Sequence, residues 1–170
     1  NFDVEIKDGG STDITTAPGT STYTYTITNN GNFEDIFTIA TSSLNGWFSA
    51  VDDVTVAYGS TSDFDVTVTI PNTLAGTIDT WSVTSTATND GTVEDVVVSG
   101  STTVDTVTGH DITGDSDLSG NPGDTVTYHF TVLNTGNAEE TYAYTVTATN
   151  GWTALPAGGP FTLAMGESET

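Results

Sequence analysis

Tyr23-Thr24-Tyr25-Thr26-Ile27-Thr28-Asn29-Asn30-Gly31-Asn32 decides how this chain folds. From Thr22 to Thr28 every second residue is threonine, so Tyr23, Tyr25 and Ile27 share one face and the threonines the other. That is the period of a half-buried antiparallel strand. Asn29-Asn30-Gly31 then supplies the residues that turn a chain. The stretch returns 105 residues later as Tyr128-His129-Phe130-Thr131-Val132-Leu133-Asn134-Thr135-Gly136-Asn137, and Asn45-Gly46-Trp47 returns at the same offset as Asn150-Gly151-Trp152. Val56-Ala57-Tyr58-Gly59-Ser60 reappears as Leu163-Ala164-Met165-Gly166-Glu167. Two like domains therefore lie in tandem. Residues 1–105 form a complete copy; residues 106–170 form a second one with nothing that corresponds to residues 64–104.

The same alternation places Phe64, Val66, Val68 and Ile70 inward along Asp63–Ile70, and Val126, Tyr128, Phe130 and Val132 inward in the second copy. Further strands are expected at Ile36–Ala40, Val54–Ala57, Trp81–Ala87 and Val93–Val104, with turns at Ala17-Pro18-Gly19, Tyr58-Gly59-Ser60, Ile70-Pro71-Asn72 and Asn89-Asp90-Gly91. Short strands at this spacing, with no convincing helix, predict an all-β protein of tandem immunoglobulin-like antiparallel β-sandwiches. Phe2–Lys7 reads as the first strand of its own domain or, alternatively, as a strand donated to a neighbour's open edge. Gly109–Thr113 is expected to open the second copy in the same way, which leaves a linker of only a few residues.

Composition agrees. The chain holds 37 threonines among its 170 residues, and its 35% apolar content is concentrated in alternating runs. One lysine and no arginine stand against 23 acidic residues, a net charge of −22. Phosphate backbones and anionic lipid are held by cationic groups, so nucleic acid and acidic membrane surfaces are excluded as partners. Self-repulsion of this size calls for saline surroundings or bound cations. There is no cysteine, hence no disulfide and no thiolate zinc site. There is no apolar run of membrane-spanning length and no Asn-x-Ser/Thr sequon. A chain that begins at Asn1 without a leader reads as a mature protein or an excerpt of a longer one.

Chemistry has few residues to use. His110 lies in the junction between copies and His129 on the threonine face of a strand, where solvated histidines are expected. No Gly-x-Ser-x-Gly elbow occurs, and the acid pairs Asp52-Asp53, Glu94-Asp95 and Glu139-Glu140 sit on neighbouring residues that point to opposite faces of a strand. No catalytic set is expected. Calcium is the sharpest chemical possibility: Asp111, Asp115, Asp117 and Asn121 offer hard oxygen ligands in a glycine-containing loop at the junction, although their spacing is not that of an EF-hand. The loop Asp8-Gly9-Gly10-Ser11-Thr12-Asp13 is a second candidate. Against both stands the chance gathering of aspartates in so acidic a chain. Trp47 and Trp152 invite a sugar-stacking role, but their recurrence after the same Asn-Gly turn fits rings folded over the end of the core, and Trp81 is inward by alternation. Lys7 raises an isopeptide crosslink to an asparagine, which Val96–Val104 does not contain.

Asn121-Pro122-Gly123-Asp124-Thr125-Val126-Thr127-Tyr128, then Asn134-Thr135-Gly136-Asn137-Ala138-Glu139, Asn150-Gly151-Trp152 and Leu163-Ala164-Met165-Gly166-Glu167-Ser168 together resemble the immunoglobulin-like repeats, of the NEW3 and DUF11-like kind, of large bacterial and archaeal surface proteins. Both copies carry the pattern. The resemblance implies a module that builds surface structures or acts as a spacer beside secreted hydrolases; in the family the pattern continues past the position of Thr170 into further strands. Residues 64–104 of the first copy bring about eight inward apolar groups, each worth roughly 1.5–3 kcal/mol. A whole domain nets only about 5–15 kcal/mol. The second copy is therefore expected to be completed by further chain or by a neighbouring subunit. The function expected is that of a structural repeat of an extracellular filament, sheath or surface layer, self-assembling with like domains; an adhesin and a hydrolase spacer are the alternatives.

Overall fold

The computed structural model describes residues 3–8, 12–89, 96–155 and 159–170. The chain falls into two units, Asn1–Asp105 and Thr106–Thr170. In the first, β1 (Val4–Asp8), β3 (Gly19–Asn29) and β6 (Thr61–Ile70) form one sheet in the order β1-β3-β6. A second sheet has the order β2-β8-β7-β4-β5, built from β2 (Asp13–Thr16), β4 (Asp35–Ser43), β5 (Val54–Val56), β7 (Ile78–Ala87) and β8 (Val96–Val104). Every ladder is antiparallel except β2 on β8. Splitting the N-terminal segment between the two sheets, with its second half parallel to the last strand, closes an immunoglobulin-like sandwich.

The alternation read from the sequence is what buries the core. Tyr25, Ile27, Phe64, Val66, Val68 and Ile70 are buried, while their threonine and aspartate neighbours face out. Tyr25 stacks on Phe64 with ring centroids 5.5 Å apart and meets Trp81 edge-on at 6.4 Å, bridging the two sheets. On the outer face Thr24 donates to Asp65 and Thr26 to Asp63, both at 2.7 Å. The parallel ladder of β2 depends on Gly100: a Cβ there would run into the Thr12 carbonyl and the Trp81 ring. Phe2–Lys7 was weighed as a donated strand. From Val4 onward it belongs to β1, paired with β3 of the same unit in the register Val4↔Asn29, Ile6↔Ile27.

The second unit holds β9 (His110–Gly114), β10 (Phe130–Asn134), β11 (Glu140–Tyr142), β12 (Phe161–Leu163) and β13 (Ser168–Glu169). They form the sheets β13-β10-β9 and β11-β12. Registers repeat those of the first unit: Val132↔Ile112 matches Ile27↔Ile6, Leu133↔Ser168 matches Thr28↔Thr61, and Glu140↔Leu163 matches Asp35↔Val56. One expectation fails here. Val126, Tyr128, Phe130 and Val132 were to lie inward on one long strand, but β10 covers five residues where β3 covers eleven, and Tyr128 and Phe130 are exposed. A strand is held by its partners, and β13 pairs with only the end of β10.

Candidate functional site: the open face of the second unit

Each unit is organised around a buried asparagine at the end of its second long strand. Asn29 Nδ2 donates to the carbonyls of Phe33 and Val56, both at 2.9 Å, and its Oδ1 accepts from the Gly31 amide at 2.9 Å. Asn134 repeats all three bonds, to Ala138 O at 2.8 Å, Leu163 O at 3.0 Å and from Gly136 N at 2.8 Å. The surrounding backbone bonds repeat as well: Asn29 N to Ser60 O matches Asn134 N to Glu167 O. The side chain ties one sheet to the other, so the Asn-x-Gly turn is part of the core and not a surface loop.

What differs is the cover. Trp47, Ile6, Tyr25 and Ile39 are 7%, 7%, 1% and 5% exposed; their counterparts Trp152, Ile112, Phe130 and Tyr144 are 77%, 57%, 49% and 41% exposed. In the first unit that surface is closed by β6, β7 and β8: Trp47 packs on Val68, Ile70 and Val104, and its carbonyl accepts from Thr69 N at 2.9 Å. The second unit carries two residues of the first of these strands, as β13. Trp152 was expected to fold over the core like Trp47. It does not, because the residues it would fold onto have no counterpart among those described. Among the described residues the result is an apolar sheet face open to solvent.

The acidic junction residues are engaged locally. Asp111 Oδ1 accepts from the Ile112 amide at 2.9 Å. Asp115 Oδ2 accepts from the His129 amide at 2.9 Å and lies 3.2 Å from His129 Nδ1. These bonds from the amide and then the ring hold the Asp115 carboxyl below its ordinary range. Asn121 donates from its amide at 2.8 Å and from Nδ2 at 3.1 Å to Asp124 Oδ2, and Asp117 borders a shallow groove with Leu118, Asp124 and Val126. Among the described residues no group of three or more His, Cys, Asp or Glu side chains is placed to hold a metal ion. Of the other loop, Gly9, Gly10 and Ser11 lie outside the described residues, and Asp13 accepts from Ser101 Oγ at 2.8 Å.

The remaining candidates fall into place. His110 and His129 are exposed, with the His110 ring edge-on to Tyr142 at 5.8 Å. Lys7 Nζ, at the surface, lies 3.4 Å from Glu5 Oε2. Trp81 is buried, stacked on Phe48 at 5.1 Å. Glu94-Asp95 lie outside the described residues. Two buried carboxylates were not foreseen. Asp79 accepts from Ser43 Oγ and the Asn45 amide, both at 2.7 Å, and Ser43 Oγ in turn accepts from the Trp47 amide at 2.8 Å, which sets the tryptophan over the core. Asp35 accepts from Asn89 Nδ2 at 2.6 Å and from the Ile36 amide at 2.8 Å. Among the described residues no helix is long and apolar enough to cross a membrane.

No protein-family model matches the chain, and no curated protein matches it. Among solved structures it is similar to E. coli alpha-2-macroglobulin in its native conformation, at 16% identity and a TM-score of 0.48, over 84% of this chain and 8% of that one. It is also similar to a chaperone–tip adhesin complex of CFA/I fimbriae biogenesis, at 9% identity and a TM-score of 0.43, over 98% of this chain and 84% of that one. A family 123 glycoside hydrolase from Clostridium perfringens aligns at 9% identity and a TM-score of 0.46, over 59% of this chain and 27% of the hydrolase. The chain thus spans under a tenth of the macroglobulin's length. By strand order and core the first unit is an immunoglobulin-like β-sandwich, and the second repeats part of it as an incomplete one.

Proposed function

We propose that the chain is a non-catalytic structural repeat of an extracellular filament, sheath or surface layer, associating with like β-sandwich domains. The observation that carries this reading is the reuse of one module: both units carry the same strand registers and the same asparagine-centred turn. Repetition of one sandwich module extends a chain by regular steps, which suits a fibre or a coat. The net charge of −22 and an outer face of threonine and aspartate suit a salt-rich exterior and repel nucleic acid and anionic lipid. Electron microscopy of the native assembly is the test. Polymers with an axial repeat of one or two sandwich lengths are expected; discrete particles without a repeat would overturn the proposal. A second reading, a glycan-binding surface module, draws on the exposure of Trp152, since exposed tryptophans stack on sugar rings. It predicts glycan-array binding that a Trp152→Ala variant loses.

A further inference from the structure

We infer that the outer face of the β2-β8-β7-β4-β5 sheet is a self-association surface, paired about a two-fold axis with the same face of a second copy of this chain. The inference rests on the reading of the chain as a structural repeat and names the surface through which like domains meet. Three observations carry it.

The first is charge. The strands β4, β7 and β8 carry two acids, Asp35 and Asp79, and both are buried inward. Among the described residues the outward side chains of these three strands are all uncharged. Acids stand at the rim: Asp13 on the edge strand β2 accepts from Ser101 Oγ at 2.8 Å, and Asp52 and Asp53 lead into β5. The outer face of the other sheet, by contrast, carries Glu5, Lys7, Asp63 and Asp65. In a chain of net charge −22 an uncharged face is where a second copy approaches with least repulsion, and it offers a charged partner nothing to hold.

The second is apolar exposure. Among the described residues of the first unit seven large apolar side chains are exposed, and four of them, Ile36, Leu44, Ile78 and Val97, lie on this face. Leu44 directly follows β4, its amide bonded to Thr80 O at 3.0 Å. Between these residues stand small side chains in register, Ala40 beside Thr84 and Ser42 beside Ser82. They keep the face flat, which lets two sheets pack against each other with their strands nearly aligned.

The third is the pattern along β4. Ile36 and Leu44 stand at equal distances either side of Ala40, about 13 Å each way along the strand. A two-fold axis through Ala40 therefore lays Ile36 of each copy over Leu44 of the other, so the face is complementary to itself. The five strands hold 35 residues, which at about 3.3 Å along a strand and 4.8 Å between strands gives a face of roughly 550 Å². Two such faces bury about 1,100 Å², just past the ~1,000 Å² that a specific interface needs. The dimer expected is a weak one.

The test follows sedimentation of the 170-residue chain across the micromolar to millimolar range in about 1 M sodium chloride, where a screening length of roughly 3 Å suppresses repulsion between the acidic surfaces. A concentration-dependent dimer is expected. Ala40→Asp sets two carboxylates against each other on the axis and is expected to weaken it at least about tenfold. Thr22→Asp, the same charge placed on the outer face of β3, is expected to leave it unchanged. Ile36→Lys and Leu44→Asp give a second test that leaves the centre of the strand alone: each is expected to weaken association, and an equimolar mixture to recover it, because their opposite charges then meet. Circular dichroism checks that every variant keeps its sheets. A chain monomeric throughout overturns the inference and leaves the face to a different partner. Dimers that Ala40→Asp does not weaken, or a mixture that recovers nothing, also overturn it and assign association to another surface or another geometry. Polymers that persist in the Ala40→Asp variant remove this face and leave the proposed function standing; dimers without polymers do the reverse.

Discussion

The side chain of Asn29 donates to the carbonyl of Val56 at 2.9 Å, joining the end of β3 in one sheet to β5 in the other. Asn29 is buried, and its three bonds satisfy two carbonyls and one amide, of which the bonds to Val56 and from Gly31 are buried. Asn29→Ala leaves those groups unpaired, at about 1–3 kcal/mol for each one that stays buried. Urea unfolding of the variant is expected to show a clearly lowered midpoint with unchanged slope. Asn29→Asp keeps the acceptor for Gly31 and loses both donors, so it is expected to recover little. Wild-type stability in the alanine variant would show that the turn holds its shape without the side chain.

Asp79 makes the second prediction. Its carboxylate is fully buried on β7 and receives the Ser43 hydroxyl and the Asn45 amide, and Ser43 then positions Trp47. Asp79→Ala is expected to cost about 1–3 kcal/mol for each donor left unsatisfied and to move Trp47 toward solvent. Acrylamide quenching of tryptophan emission reports the movement. Ser43→Ala removes the bond to Asp79 and the one from the Trp47 amide but leaves Asp79 its bond from the Asn45 amide, so it is expected to raise quenching with a smaller loss of stability.

How much of this was legible in the sequence differs between the two units for one physical reason. Period-two patterning shows which face of a strand is apolar, and for β3 and β6 it placed Tyr25, Ile27, Phe64 and Val66 in the core. It does not show whether a partner strand is present to use that face. Tyr128 and Phe130 have the same pattern as Tyr23 and Tyr25 and yet lie in solvent, because pairing and cover come from residues distant in the chain. Asp79 was illegible for a related reason. A carboxylate in an acidic chain reads as solvated until the fold brings Ser43, 36 residues away, against it. Asp115, weighed as a calcium ligand, shows what such a loop does for itself, since it accepts from the His129 amide and lies 3.2 Å from the ring's Nδ1.

Tyr23 sets a pH dependence. Burial raises its phenol above the ordinary tyrosine value, because the ionised form loses solvation in the fold. A group whose folded value is raised contributes stability that is present below the unfolded value and lost as pH rises through the folded one. Tyr23→Phe has nothing to ionise. Its stability relative to the native chain is therefore expected to improve from about pH 10 upward, followed by urea midpoints on the alkaline side. A difference that stays flat across that range would mean the phenol is no less solvated folded than unfolded. Asp115 acts in the opposite sense: its lowered value contributes stability above the unfolded range that is lost as pH falls through the folded one.

Salt is expected to stabilise this protein, and the outer face of the β1-β3-β6 sheet shows where. Asp63 and Asp65 are two residues apart on the same face of β6, about 6.6 Å along the strand, each held by one threonine hydroxyl and neither by a cation. With one lysine against 23 acids, repulsion of this kind is repeated over the molecule. Raising ionic strength from about 0.1 to 1 M shortens the screening length from roughly 10 to 3 Å, well inside the Asp63–Asp65 separation. The melting temperature is expected to climb steadily over that range, and with Asp65→Asn to climb less from a higher start. Hydrogen bonding is nearly preserved in that variant, since an asparagine oxygen still accepts from Thr24, so a change in slope isolates the charge. A melting temperature indifferent to salt would show that the acids are already neutralised within the fold.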